Sequence, residues 1–462
     1  MKNEGTFKKI GFVALSNVIK LISSVLIGFV IPKILGLTNY GYYKVFGLYL
    51  SYIGLFHFGF IDGIYLKYGG SDYLELDKKS FRTYLKFLLY LELLISIIGI
   101  LFTVFFMNGE KRIIFSFLFL NLIAVNITTF YQFVSQITSR FKEYSIRIIL
   151  LSIANIVIVA ILYFLNLQDY RIYIALIVAV NYILLMWYVY TYRDITFGNS
   201  KKIKDSQSEI FYFFKTGIPL LLANLASTLV LTVDKQIVEI FFPVEDFGVY
   251  SFAYSMLSMI TVVVSAVGVV LYPTLKKTNV DNIPENYSNL NLITILLVLI
   301  GLIGYFPLLW IIPKFLPDYI GSLNIFRVAL PGLVLTSSIS AIKHNFFKIT
   351  NNNFHFFIIG LIAILANIIL NLSAYYLFKT TISIAISSVI GISIWYITTE
   401  IYMVKRFNVK WKVNAFIAFI GILCFYLITY MDSFILSGLL YSAFLIFLVG
   451  FNFKKILRII KS

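Results

Sequence analysis

Fourteen mostly apolar stretches, each long enough to cross a bilayer, divide this 462-residue chain from end to end. They lie at roughly 10–35, 41–66, 84–107, 112–138, 147–167, 171–192, 211–241, 247–272, 288–312, 323–350, 354–377, 379–404, 413–430 and 434–452. A hydrocarbon core of about 30 Å is crossed by a helix of about 20 apolar residues, so each stretch reads as one crossing. The runs are continuous and do not alternate with period two, which argues against a membrane β-barrel. The expected fold is therefore an all-α integral membrane protein. Apolar residues make up 60% of the chain and charged residues only 13%, too few to cover several water-exposed domains. A soluble multidomain enzyme is excluded, as is a disordered or fibrous chain.

The polar residues exclude further chemistries. The single cysteine, Cys424, allows no internal disulfide. His57, His344 and His355 are scattered, without metal-ligand spacing, so no metal or other cofactor is expected. No GxxxxGK[ST] phosphate loop occurs, so the chain carries no ATPase of its own. The net charge is +17, but the cations flank apolar runs and form no basic domain, which argues against nucleic acid as a partner. The first run is too long for a signal-peptide core and has no clear cleavage site; it reads as a retained first helix.

The distribution of Lys and Arg sets the expected orientation. With the N-terminus in the cytoplasm, twenty-eight of the thirty-eight cations fall on the inner side, six on the outer side and four within spans. Both termini are thus expected to be cytoplasmic. The longest polar stretch, Arg193 to Glu209, falls between runs six and seven. The chain is accordingly read as a first lobe (1–192), a cytoplasmic linker (193–210), a second lobe (211–405) and two further helices with a basic tail (406–462).

The two halves resemble each other. Ile34-Leu35-Gly36-Leu37-Thr38-Asn39-Tyr40-Gly41-Tyr42-Tyr43 aligns with Phe241-Phe242-Pro243-Val244-Glu245-Asp246-Phe247-Gly248-Val249-Tyr250 at a constant offset of 207, which also places Asn17 on Asn224. Six spans per half leave the halves in one orientation, as in parallel-repeat transporters that rock about a central cavity.

At these residues the sequence resembles a known family. Thr232-Val233-Asp234-Lys235-Gln236-Ile237-Val238, Phe247-Gly248-Val249-Tyr250-Ser251-Phe252-Ala253-Tyr254, Gly217-Ile218-Pro219-Leu220 and the Leu35-Gly36 turn before Tyr40-Gly41-Tyr42-Tyr43 are similar to stretches of the Wzx-like polysaccharide flippases. These belong to the MOP superfamily, with the MATE drug exporters and lipid II flippases. The resemblance implies two pseudo-symmetric six-helix lobes with spans thirteen and fourteen added. It implies export of an undecaprenyl-diphosphate-linked oligosaccharide across the bacterial cytoplasmic membrane. It also implies a cavity lined mainly by helices one, two, seven, eight and ten.

Four cations lie within spans: Lys20, Lys44, Lys235 and Arg327. A Lys or Arg at a helix centre costs about 2.5–3.5 kcal/mol on insertion scales, so such residues face a cavity or a partner. Lys20 is the most central. Lys44 and Arg327 lie close enough to span ends to reach headgroups. Lys235 precedes Glu239 by one helical turn and can pair with it. Together the four are the candidate ligands of an anionic diphosphate or acidic sugar. Asn17 and Asn224 are the candidate sugar contacts; Asn367 and Asn371 read as interhelical hydrogen-bonding groups. Coupling to H+ or Na+ is assigned to Asp234, with Glu239 and Glu92 as alternatives. Asp62, Glu400, Lys215 and Lys343 read as interfacial, and His57 as a helix-packing residue. Function as a monomer among membrane lipids is expected. A superfamily transporter of lipid II, a teichuronic-type polymer or drugs is the nearest alternative. A polysaccharide polymerase is disfavoured, because the outer loops are about ten residues or fewer and hold few acids.

Overall fold

A computed structural model describes residues 6–276, 283–350, 352–409, 412–431 and 433–461. In chain order the helices are α1 (Thr6–Leu50), α2 (Phe60–Tyr68), α3 (Lys78–Phe106), α4 (Gly109–Ile137), α5 (Phe141–Phe164), α6 (Tyr170–Thr191), α7 (Arg193–Thr196), α8 (Gln207–Val230), α9 (Val233–Phe241) and α10 (Val244–Lys276). They continue with α11 (Ile283–Gly301), α12 (Tyr305–Phe315), α13 (Ser322–Ala329), α14 (Gly332–Ser337), α15 (His344–Ile349), α16 (Asn353–Phe378), α17 (Thr381–Phe407), α18 (Lys412–Thr429) and α19 (Phe434–Lys461). One compact unit ends at Thr228 and a second begins at Leu229.

Eleven helices among the described residues are long and apolar enough to cross a membrane, or twelve if the bent pair Ser322–Ala329 and Gly332–Phe347 is one span. Several expected runs are divided differently from the sequence reading. α1 holds the first run and part of the second. Its 45 residues would extend about 68 Å at 1.5 Å each, over twice the hydrocarbon thickness. It breaks at Gly36, whose φ of 69° and ψ of 177° suit glycine alone. The expected 41–66 span is not one helix. It stays helical to Leu50, makes a 3-10 turn over Ile53–His57, and resumes at α2 after Phe58 and Gly59 at positive φ. The expected 211–241 span is likewise two helices, α8 and α9, separated at Leu231 and Thr232. The 323–350 run bends by 45° around Pro331, which has no N–H to donate. It then passes through a π-helical turn, Ser338–Lys343.

The first unit is held by tight backbone contacts and an aromatic core. α2 meets α8 through Gly59, Gly63 and Gly217. A Cβ on Gly59 would sit 2.6 Å from the Gly217 carbonyl carbon, and one on Gly63 would overlap the Phe213 backbone. Gly59 and Gly63 form the small-xxx-small spacing that lets membrane helices approach closely. Phe60, Tyr84 and Phe213 fill the adjoining core, with Tyr84 edge-on to Phe213 at 5.0 Å. The expected linker is bound to this unit. Lys201 pairs with Asp77 at 2.7 Å, the Arg82 guanidinium donates to the Asp194 and Asn199 carbonyls, and Lys67 pairs with Glu209 at 2.7 Å. In the second unit α16 packs chiefly on α17. Apolar side chains such as Ile97, Ile98, Leu101 and Phe105 are half or more exposed on α3, as a lipid-covered face requires.

The glycine contact makes a direct prediction. Gly217→Val should destabilise the protein by about 1–3 kcal/mol or more, the range for overpacking. Gly47→Ala, where a Cβ meets nothing within 4 Å, should be neutral or slightly stabilising. Thermal unfolding of the two purified variants in detergent checks the contrast.

Candidate functional site

The in-span charges gather mostly where helices break. In the first unit, Lys44 follows the Gly36 break by two turns, and its ammonium lies 5.1 Å from the rings of both Tyr40 and Tyr43. Tyr43 in turn packs on Tyr173 at 4.7 Å. Two aromatic faces stabilise a cation electrostatically, so Lys44 is held while half-buried. Lys20 has different surroundings. It is exposed on α1 among Leu15, Val18 and Ile22, which are exposed as well, while Asn17 is half-buried.

The break between α1 and α2 encloses His57 and Asp62. Asp62, expected at the interface, is instead buried, with its Oδ2 3.8 Å from His57 Nδ1. The Gly59 N–H donates to that same nitrogen at 3.2 Å, consistent with a packing role for His57. Glu92 on α3 is fully enclosed and neither carboxylate oxygen meets a well-aligned donor. Its polar neighbour Asn126 gives its amide to the Ile53 carbonyl at 3.2 Å.

In the second unit, Asp234 stands in the first turn of α9, just past the Leu231–Thr232 break, where the helix dipole favours an anion. Its Oδ1 accepts the Lys235 backbone N–H at 2.8 Å, and its Oδ2 accepts the hydroxyls of Tyr250, at 2.7 Å, and Tyr254. The Lys235 ammonium lies 4.5 Å from the Tyr254 ring. Two tyrosines from α10 therefore organise this pair, a feature the sequence reading lacked. Glu239 is buried on the same short helix. Asn224, on α8 in the first unit, is exposed. Asn121 and Asn181 bond each other at 3.1 Å, and Asn371 accepts from Ser387 and Ser388, so these act between helices.

Sequence reasoning misplaced one pair altogether. Lys343 and Glu400, read as interfacial, form a buried ion pair at 2.8 Å. Lys343 ends the π-helical turn, and its ammonium also donates to the Tyr396 carbonyl at 2.9 Å and the Thr399 hydroxyl at 3.2 Å. Tyr287 donates to Glu400 at 2.7 Å, and Ser338 donates to Asn291 at 2.6 Å one turn earlier. π-turns inside helices recur at functional sites. Each residue stands alone in sequence near a span end, so only the three-dimensional fold reveals the pairing.

Arg327 on α13 has yet another setting. Its guanidinium carbon lies 4.5 Å from the Tyr430 ring, beside a cavity of about 360 Å³. Among the described residues no group of three His, Cys, Asp or Glu side chains is placed to hold a metal.

Membrane-crossing helices in two compact units define a multi-pass helical membrane protein. Solved structures share this fold. The chain is similar to a structure described as "Lipid II flippase MurJ, inward closed conformation", with a TM-score of 0.73 at 15% identity over 98% of this chain and 100% of that one. It is similar to an inward-facing MATE family multidrug resistance transporter of the MOP superfamily, with a TM-score of 0.60 at 16% identity over 85% and 94%. It also matches a MOP superfamily transporter from Pyrococcus furiosus, with a TM-score of 0.54 at 16% identity over 87% and 93%. Residues 6–279 match the family described as polysaccharide biosynthesis protein, and the chain belongs to that family. No protein with a curated description matches it. The resemblance drawn from the Asp234 and Gly36 regions thus agrees with the family match and with the fold.

The buried pair is testable. Lys343→Met alone leaves Glu400 buried and uncompensated and should destabilise the protein by about 3–5 kcal/mol. Adding Glu400→Gln should restore most of that loss. Thermal unfolding of single and double variants measures the coupling, and equal stability of Lys343→Met and wild type would contradict it.

Proposed function

We propose that the protein flips an undecaprenyl-diphosphate-linked oligosaccharide from the inner to the outer leaflet of the bacterial cytoplasmic membrane by alternating access. The observation carrying this reading is the match of residues 6–279 to the polysaccharide biosynthesis family, joined to a fold shared with flippases and exporters. The chain makes fourteen crossings in this account: the long α1 supplies two, and α10 supplies another. Both termini are cytoplasmic, following the Lys and Arg asymmetry.

Lys20, Lys44 and Lys235 hold the anionic head, and no covalent chemistry is required. A diphosphate concentrates charge that ammonium groups at low dielectric can balance. Lys44 and Lys235 each stand beside tyrosine rings, so a sugar can stack where the phosphate binds. Exposed Asn224 and half-buried Asn17 offer amides to sugar hydroxyls. Arg327 sits in a pocket of its own and is not assigned to the head. Coupling is to H+ or Na+. Glu92, enclosed without an aligned donor, is the proposed proton carrier ahead of Glu239 and Asp234; Asp234 already receives three hydrogen bonds. The protein acts as a monomer.

Lipid II is the second reading, favoured by the full-length likeness to a lipid II flippase. The two separate in a deletion strain. Loss of surface polysaccharide, with its lipid-linked repeat unit trapped on the cytoplasmic face and peptidoglycan synthesis intact, supports the proposal. Repeat units still reaching the outer face would contradict it. At equal protein levels Lys20→Ala should cut export about tenfold or more, as losing a contact to a charged group implies. Lys33→Ala should leave export near wild type, and quantifying surface polysaccharide in both strains decides the point.

A further inference from the structure

The cavity beside Arg327 lies wholly within the second unit, where four helix ends meet. α12 ends at Phe315, α13 begins at Ser322, α18 ends at Thr429 and α19 begins at Phe434. Ends of membrane-crossing helices mark the level at which lipid headgroups lie. Phe306, Leu309, Leu323 and Phe434 give the cavity apolar walls. Among the described residues no acidic side chain lines it.

Among the described residues Arg327 is the one charge in that lining. Its Nε is buried without a hydrogen-bond partner, while the guanidinium plane is steadied by Tyr430. Two of the three hydroxyls in the lining are already committed, Thr429 donating to the Phe425 carbonyl at 2.9 Å and Ser437 to the Ser433 carbonyl at 2.8 Å, and Tyr305 carries the third. Donors for a ligand therefore come from Arg327, from the Tyr305 hydroxyl and, at the exposed rim, from the Asn324 amide. A guanidinium beside an apolar pocket matches one anion with adjacent oxygens, as a phosphate presents.

We propose that this cavity binds the phosphate of an anionic phospholipid through Arg327, with the acyl chains left in the surrounding bilayer. About 360 Å³ is room for on the order of ten waters, enough for a glycerophosphate group. It is too small and too poor in donors for an oligosaccharide, whose hydroxyls would each need a partner. One cation, with no carboxylate among the described lining residues, selects an anionic headgroup over a zwitterionic one. The bound lipid would bridge α13 to α18 and α19, tying the two C-terminal helices to the rest of the unit. The inference needs only that the chain is membrane-embedded, and it stands whatever substrate is flipped.

Native mass spectrometry of the purified, delipidated full-length protein tests this, with dioleoyl phosphatidylglycerol, dioleoyl phosphatidylcholine and glycerol 3-phosphate added separately. The wild type should retain phosphatidylglycerol about tenfold over phosphatidylcholine, the scale of one charge-assisted contact. Arg327→Gln should abolish that preference and Arg327→Lys should keep part of it. Asn324→Trp, which fills the rim with Arg327 intact, should weaken retention and serves alone if Arg327→Gln does not fold. Equal retention of both lipids by the wild type would overturn the proposal. So would a preference that survives Arg327→Gln or Asn324→Trp, or glycerol 3-phosphate binding as tightly as the lipid.

Discussion

Hydrocarbon offers a backbone amide nothing to bond to, so a chain crossing a membrane must satisfy its peptide groups within helices. Every interruption of a helix then has to be accounted for locally. Among the described residues the interruptions are few and specific: Gly36, the 51–59 segment, Leu231–Thr232, the 3-10 turn Leu302–Gly304, and Pro331 with the π-helical turn behind it. Most of the in-span charges named above gather around them. Lys44 follows Gly36, His57 and Asp62 flank Gly59, Asp234 and Lys235 open α9, Arg327 precedes Pro331, and Lys343 closes the π turn. A break frees backbone groups and loosens packing, and so gives a charged side chain neighbours that a regular apolar helix lacks. Lys20, Glu92 and Glu400 are exceptions, lying inside regular helix; Lys20 is exposed, and Glu92 and Glu400 are buried.

The helical membrane class and the approximate spans could be read from apolar run length alone, because bilayer thickness imposes that length on any sequence. The Gly36 turn was legible too, since a glycine between two long apolar runs signals a conformation other residues avoid. The division of the 41–66 and 211–241 runs was not. Apolar character continues through Ser51–Gly59 and Leu231–Thr232, so hydropathy shows no gap where the backbone breaks. The pairing of Lys343 with Glu400 was hidden for another reason. Position along a span estimates depth, but whether a charge meets a partner depends on which helices pack together and on a half-turn shift at the π segment. The tyrosines that organise Asp234 show the same limit. Tyr250 and Tyr254 appeared in a family-like motif, yet their hydroxyls matter only because α10 packs on α9.

Among its described residues the second unit holds three separately organised charged groups: Asp234 with Lys235, Lys343 with Glu400, and Arg327 beside Tyr430. They call for different roles. A fully compensated buried pair stabilises one arrangement of its helices and binds little else. A cation beside tyrosine rings near a half-buried surface can still receive an anion. A cation facing a small apolar pocket suits a single phosphate. Dividing the charges this way narrows the proposed substrate-binding cations to those whose surroundings leave room for a ligand. In the proposed orientation the large surplus of Lys and Arg elsewhere lies mostly on the cytoplasmic side and carries no information about substrate.

The central claim is that this chain moves a lipid-linked oligosaccharide between leaflets. Its most direct measurement is transfer of a fluorescent undecaprenyl-diphosphate oligosaccharide in proteoliposomes holding the purified protein, read by quenching from the outside. The account predicts protein-dependent transfer that an imposed proton or sodium gradient accelerates. No transfer beyond that in protein-free vesicles, under either gradient and with the protein folded, would contradict it.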